Sequence, residues 1–309
     1  MNNSKAKISV VIPTFNVEGI IARAIRSASW ADEILVVDSF STDRTVEIAQ
    51  SMGAKVVQHE YVYSAKQKNW IIPQAKHEWV FLLDSDEEIT PALHAEIESL
   101  ISMKQLDHYD GCAIARPELF LSHWLKWGGR YPLYNIRFFR RTCRYEDRDV
   151  HAHIILHKDR VKVLKGDLLH FSNPTMDHYL SKFNRYTTYQ ANYMVKVAQN
   201  HRKIEWPKFF THFVYAKSVA KDYWYFLPFV PLLRFVYMYM VRLGFLDGRH
   251  GFLLATLYGF QDYVSKTKYL EMTGHHPRIR FMAQRFMIER IIPHGDNNRI
   301  VDRMNSQVN

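Results

Sequence analysis

Residues 79–90 read WVFLLDSDEEIT. Val80, Phe81, Leu82 and Leu83 make a short unbroken apolar run, the pattern of a strand covered on both faces. Asp84, Asp86, Glu87 and Glu88 follow directly. Burying an unpaired carboxylate costs several kcal/mol, so this acid belongs at an open edge. In an open α/β sheet that edge is the cleft beyond the carboxyl ends of the strands. Alternation along an extended chain predicts that Asp84 and Asp86 point one way and Ser85 the other. Two carboxylates on one side suit a hard divalent cation that keeps positions free for phosphate oxygens. Glu87 and Glu88 are expected only as a solvated acidic turn capping the next helix.

Upstream, three more apolar runs have strand character: ISVVI at 8–12, which Pro13 should end, EILVV at 33–37, and KVVQ at 55–58. Between them, helical spacing predicts helices over 18–29, 43–52 and 64–72, with Ser41 or Thr42 as cap of the second and Pro73 ending the third. A fourth helix is expected over 91–102, with Pro91 in its first turn after Thr90. Strand and helix alternating in this way predict an α/β fold, a mostly parallel sheet flanked by helices. The loops after the first, second and fourth strands then share one edge of the sheet. They carry Pro13, Thr14, Asn16, Glu18, Asp38, Asp43, Asp84 and Asp86. Asp43 falls where an acid in a first helical turn stabilises the helix dipole.

The chain has 309 residues, 47% of them hydrophobic, enough for a substantial core. Its net charge of +10 is uneven. Residues 1–100 carry 9 Lys and Arg against 14 Asp and Glu, whereas residues 101–309 carry 32 against 17. An acidic half therefore precedes a basic half suited to an anionic partner, nucleic acid or a lipid surface. Two cysteines, Cys112 and Cys143, give neither a metal spacing nor a disulfide framework, and the polar start MNNSKAK suggests a reducing cytosol.

The stretches VVIPTFNVEG (10–19), ILVVDSFSTDRT (34–45), SAKQKNW (64–70) and WVFLLDSDEEI (79–89), in this order and spacing, resemble the nucleotide-sugar domain of the family 2 glycosyltransferases, of GT-A type. The resemblance spans about residues 7–105. Later stretches, among them YNIRFFRR, LLHFS and GFLDGRHGFLLA, are similar to the subgroup that transfers a sugar to the lipopolysaccharide inner core. The resemblance implies that Asp38 accepts a hydrogen bond from a uracil-type base edge and that Pro13, Thr14, Asn16 and Glu18 hold the nucleoside. Lys68, with Lys66, takes the place of the family's basic residue; an exposed helix face is the plain alternative for both lysines. Asp86, with Asp84, would hold Mg²⁺ or Mn²⁺ on the diphosphate of a nucleotide sugar such as a UDP-sugar. His170 is a further candidate ligand to metal or phosphate.

An inverting transferase needs a general base for the acceptor hydroxyl, and the family places an acid near RYEDRDVHAHI. Asp147 is the first choice, then Glu146 and Asp149. The subgroup often reads Val-His-Glu where this chain has Val150-His151-Ala152; His151 and His153 are expected to be packed. Residues 134–141 read as a strand returning to the sheet edge. Trp124, Trp127 and Tyr131, around Gly128 and Gly129, suit either stacking on an acceptor sugar or a flap over the core.

Beyond Pro174 the chain is expected to be helical and aromatic-rich, giving a catalytic domain over 1–172 and a membrane-associated region over 173–309. Residues 206–263 include 18 aromatics among 58 residues, yet Pro228, Pro231, Arg234 and Arg242 interrupt the apolar run. A spanning helix needs about 20 mostly apolar residues without such breaks. Helices lying among lipid headgroups fit better, with the basic stretch 275–303 also facing anionic lipid. This predicts a peripheral enzyme on the cytoplasmic face of the inner membrane with a lipid-linked or lipopolysaccharide acceptor. A sugar nucleotidyltransferase would need a glycine-rich loop after the first strand, where PTFNVEG has one glycine. Aspartyl phosphotransfer would need its acids at that same place. A nucleic-acid binder would interleave its aromatics with Lys and Arg, so nucleic acid is not expected as a partner.

Overall fold

The computed structural model describes residues 6–148, 152–199 and 211–274. The first half alternates as expected: β1 (Ile8–Thr14), α1 (Ile21–Ser27), β2 (Glu33–Asp38), α2 (Thr45–Ser51), β3 (Lys55–Gln58), α3 (Ser64–Ile71) and β4 (Trp79–Leu82). A short β5 (Glu87–Ile89) leads into α4 (Pro91–Ser102), whose cap Thr90 accepts the Leu93 amide at 3.2 Å. Then come β6 (Gly111–Ala115), β7 (Glu118–Phe120), β8 (His123–Trp124), β9 (Tyr134–Arg140) and the long β10 (Val161–Asn173).

These strands form one ten-stranded sheet in the order β3-β2-β1-β4-β9-β6-β10-β7-β8, with β5 paired to β10 off that path. The block β3-β2-β1-β4 is parallel, and β9 runs antiparallel between β4 and β6. Three expectations change. Pro13 does not end β1, which continues to Thr14 opposite Asp38. Val11 turns its carbonyl to Leu83 on the β4 side, so the N–H that Pro13 lacks faces that side, past the end of the β4 ladder. Residues 134–140 return to the middle of the sheet rather than its edge, because β6 covers the far side of β9. The segment 84–86 is a turn, with the Glu87 amide donating to the Asp84 carbonyl at 2.9 Å, so strand alternation does not govern the two aspartates.

The two faces of the parallel block are covered by separate apolar clusters, one holding Ile21, Ile25, Leu93 and Ile97, the other Ala65, Ile71, Ile72 and Tyr145. The second half is helical: α5 (Met176–Gln199), α6 (Phe213–Tyr223), α7 (Val230–Val236), a π-helical turn at Tyr237–Val241, a 3-10 turn at Gly244–Asp247, and α8 (Gly248–Thr273). Phe120 and Leu125 from the sheet share a core with Tyr179, Phe183, Met238 and Leu254, which seats these helices on the β7 end. Two glycines of GFLDGRHGFLLATLYGF permit close backbone contact. A Cβ on Gly251 would lie 1.9 Å from the Gly244 carbonyl oxygen, and one on Gly259 would lie 2.7 Å from that of Pro231. Among the described residues no helix is long and apolar enough to cross a membrane. The basic stretch 275–303 lies outside them.

Candidate active site

The loops after β1 and β2 are laced together by reciprocal hydrogen bonds. The Asn16 amide donates to Ser41 Oγ at 2.8 Å, and Asn16 Oδ1 accepts the Thr42 amide at 2.8 Å. The Glu18 amide donates to Asp43 at 3.0 Å, while the Glu18 carboxylate accepts the Arg44 amide at 2.9 Å. Asp43 also accepts the Thr45 amide, so it does the capping expected of Ser41 or Thr42. Asn16 and Phe40 sit at φ of 48° and 58°, left-handed values that this lacing holds in place. Asp38 is fully buried beneath it. Its oxygens accept from Thr14 Oγ1 at 3.2 Å, the Ser41 amide at 2.9 Å, Ser41 Oγ, and Gln58 Nε2 at 3.3 Å. Asp38 is thus the anchor of a two-loop clasp.

Beyond β4 the partners are cations. Glu87 is fully buried and accepts from Arg116 at 2.8 Å, from Arg137 at 2.6 Å and from the Asp84 amide at 3.0 Å. It is no solvated turn. Asp84 also pairs with Arg137, and with Lys68 at 3.5 Å. Burial alone would raise the Asp84 carboxyl, but Arg137, Lys68 and Arg116 hold it far below the usual carboxylate range. Burial lowers the Lys68 ammonium, against the pull of Asp84. Asp86 pairs with His170 Nε2 at 3.4 Å. Its carboxyl is lowered despite burial, by hydrogen bonding and charge from His170. His170 lies within β10, opposite Glu118.

A cavity of about 930 Å³ opens over these groups. Of the residues named from the sequence, Pro13, Asn16, Lys68, Asp84, Asp86 and His170 line it. Thr14, Glu18 and Asp38 stay within the clasp, and Lys66 is on the exposed face of α3. The cavity continues to a polar end formed by Glu118, Arg130, Ser172, Asn173, Tyr179 and Lys182. Glu118 is nearly buried, paired with Arg130 and bonded by Ser172 Oγ at 3.0 Å. Tyr179 Oη and Asn173 Oδ1 are buried there without a hydrogen-bond partner. Sequence reasoning missed Glu87, Arg116, Glu118, Arg130 and Arg137; the available signal was a charge inside an otherwise apolar strand such as IRFF.

A second cavity of about 570 Å³ shares Ser64, Lys68, Asp84, Arg116 and Tyr186 with the first. Arg148 and His153 help line it, and His153 is exposed rather than packed. Asn69 pins this side, its amide exchanging bonds of 2.9 and 2.8 Å with the Tyr145 backbone. Asp147 is exposed, bonded by Tyr63 Oη, and Glu146 pairs with Arg148 at 3.2 Å. Neither lines a cavity described here, and Asp149 and His151 lie outside the described residues. Trp124 packs edge-on against Tyr131, whose hydroxyl donates to Asp167 at 3.0 Å, and neither these rings nor Trp127 line the main cavity.

Residues 9–158 match the sequence model of the family described as Glycosyl transferase family 2. A relative from Rickettsia prowazekii, named uncharacterized glycosyltransferase RP128, is 31% identical over 62% of this chain and 68% of its own length. The chain belongs to the family 2 glycosyltransferases. LpsC of Rhizobium meliloti, named a lipopolysaccharide core biosynthesis glycosyltransferase, is 28% identical over 64% of this glycosyltransferase and 75% of its own chain. A crystal structure of glucosyl-3-phosphoglycerate synthase from Mycobacterium tuberculosis with Mn²⁺, UDP and glucosyl-3-phosphoglycerate aligns at 25% identity. That match has a TM-score of 0.31, over 36% of this chain and 44% of that one. The mostly parallel sheet flanked by helices gives the glycosyltransferase a GT-A-type fold in its first half.

Proposed function

We propose that this glycosyltransferase moves a hexose from a nucleoside diphosphate sugar, a UDP-sugar first, to a lipid-linked or lipopolysaccharide-core acceptor, inverting the anomeric centre. Residues 1–172 would carry the catalysis, and residues 173–309 would seat the enzyme on the cytoplasmic face of the inner membrane. The observation that carries this is the joining of clasp, acid turn and cation cluster around one cavity of about 930 Å³. That volume is within the range of small-molecule sites. Pro13 and Asn16 would flank the nucleoside, while Lys68 and Arg116 face the leaving diphosphate.

A divalent cation fits this chemistry in one form. Among the described residues no group of three His, Cys, Asp or Glu is arranged to hold a metal. Mg²⁺ is commonly held by one or two carboxylates, with substrate phosphates and water completing its shell. Asp86, with Asp84 and His170 beside it, offers such a partial set. The ion would supply Lewis-acid stabilisation of charge on the leaving diphosphate. Asp147 remains the proposed base, ahead of Glu146 and Asp149, because Asn69 ties its segment to the helix that carries Lys68. Glu118 is the rival, favoured by its place inside the main cavity. Incubation with a panel of nucleotide sugars, Mn²⁺ and acceptor glycolipid tests the proposal. Release of UDP with a glycosylated product of inverted configuration is expected; retained configuration, or no transfer from any sugar nucleotide, would overturn it.

A further inference from the structure

A smaller cavity of about 260 Å³ shares Arg130 and Tyr258 with the main one, and Gly128, Gly129, Arg234 and Arg242 also line it. Three guanidinium groups therefore border a space of this size. Arg234 is engaged by Asp262 at 2.8 Å, and Arg130 by Glu118. Arg130 Nε is nevertheless buried without a partner. Arg242 is exposed and has no ion pair among the described residues. It lies across Gly129, where a Cβ would come within 3.3 Å of Arg242 Nε.

The segment that brings Arg234, Tyr237, Met238 and Arg242 to this cavity also exposes apolar side chains. Phe229 is 76% exposed, Val241 64%, Leu232 60% and Met240 55%, and Tyr237 lines the cavity itself. Residues 227–246 contain no acid, and their charges are Arg234 and Arg242. Large exposed apolar patches mark interaction sites. Charge then chooses the occupant. The chain's own segment 275–309 carries six arginines against three acids, and a second copy brings a net charge of +10, so both are repelled by an arginine-lined pocket. An anion attached to an apolar body is attracted by both features.

We propose that this cavity binds the phosphate of an anionic membrane lipid, with Phe229, Leu232, Met240 and Val241 entering the headgroup and upper acyl layer. This rests on the membrane-facing function proposed above and names its point of contact. Arg234 serves mainly as the internal partner of Asp262. Arg130 would stand between the lipid phosphate and Glu118, placing the lipid one side chain from the polar end of the main cavity.

Vesicle flotation of the full chain tests this, using phosphatidylcholine vesicles with and without phosphatidylglycerol. The wild type should float with phosphatidylglycerol vesicles. Arg242→Glu should lower its partition on the order of tenfold, and Phe229→Ser with Val241→Ser by at least about tenfold. Both variants should keep the wild-type thermal midpoint and UDP affinity, which separates lost docking from lost folding. Millimolar inorganic phosphate should compete little; full displacement by it would show a free-anion site and overturn the lipid assignment. Arg278→Glu with Arg280→Glu reducing flotation while Arg242→Glu does not would overturn it in favour of the chain's own tail. A wild type that floats with neither vesicle would sink the membrane function itself. Equal flotation of wild type and all variants would sink only this site.

Discussion

The clasp joining the first two loops and the turn beyond β4 are both rich in carboxylates at strand ends, yet they use them differently. In the clasp, Asp38 and Asp43 meet amides, hydroxyls and a glutamine side chain, and Asp38 is fully buried. Beyond β4, Asp84 and Glu87 meet Arg116, Arg137 and Lys68, and Asp86 meets His170 on the cavity side. Neutral donors fix a wall, because each bond removes one desolvation penalty and leaves nothing to exchange with a ligand. A balanced ion cluster beside an open cavity can accept an anionic ligand and a cation together.

The contrast breaks most sharply at Asp86. Asp86→Ala should lower turnover on the order of 10³-fold while leaving the fold intact, because it removes a charge aimed at the developing diphosphate. Steady-state assay with chelator controls checks this, and near-normal turnover would place the metal elsewhere. A second test concerns carboxylates belonging to neither region. If Asp147 takes the acceptor proton, Asp147→Asn should cost about 10²-fold or more in kcat with donor affinity unchanged. Glu146→Gln, Asp149→Asn and Glu118→Gln should then each cost much less. The reverse ranking, with Glu118→Gln the severe one, would move the base into the main cavity.

Asp38→Ala probes the clasp side. It strips four donors of their acceptor, so a loss of about 2–3 kcal/mol of stability is expected from denaturant titration. Nucleotide affinity of the folded fraction should change little. Unaltered stability with lost UDP affinity would return Asp38 to the cleft. The smallest expected effect lies at Lys68, whose ammonium burial holds below its ordinary value. Its charge disappears as pH rises through that lowered value. UDP affinity should therefore begin to fall at a lower pH than a free lysine, about 10.4, would allow. Lys68→Arg should remove that alkaline limb; an identical pH profile in the variant would assign it to another group.

The alternation of strands and helices was legible in the sequence because apolar runs and their spacing are local properties. So was the place of Asp86, since acid at the end of VFLL has nowhere to go but an open edge. Pro13 misled because whether a missing N–H matters depends on which neighbour it faces, and that is set by β4 some 70 residues away. Glu87 read as a solvated cap because its partners, Arg116 and Arg137, arrive on the loop after β6 and on β9. Asp38 and Asp84 are alike in sequence, each closing an apolar run, with Asp86 two positions further on. Their neighbours separate them: Asp38 accepts from Thr14 on β1 and from Ser41 on its own loop, whereas Asp86 opens on the cavity.

The most direct measurement is calorimetric titration of UDP into the full chain with Mn²⁺, repeated in excess chelator and with Asp86→Ala. Binding with Mn²⁺ that weakens at least tenfold in chelator and in the variant is expected, from a cation held jointly by Asp86 and the diphosphate. Equal UDP affinity under all three conditions would contradict a nucleotide-sugar site built on the acid turn beyond β4.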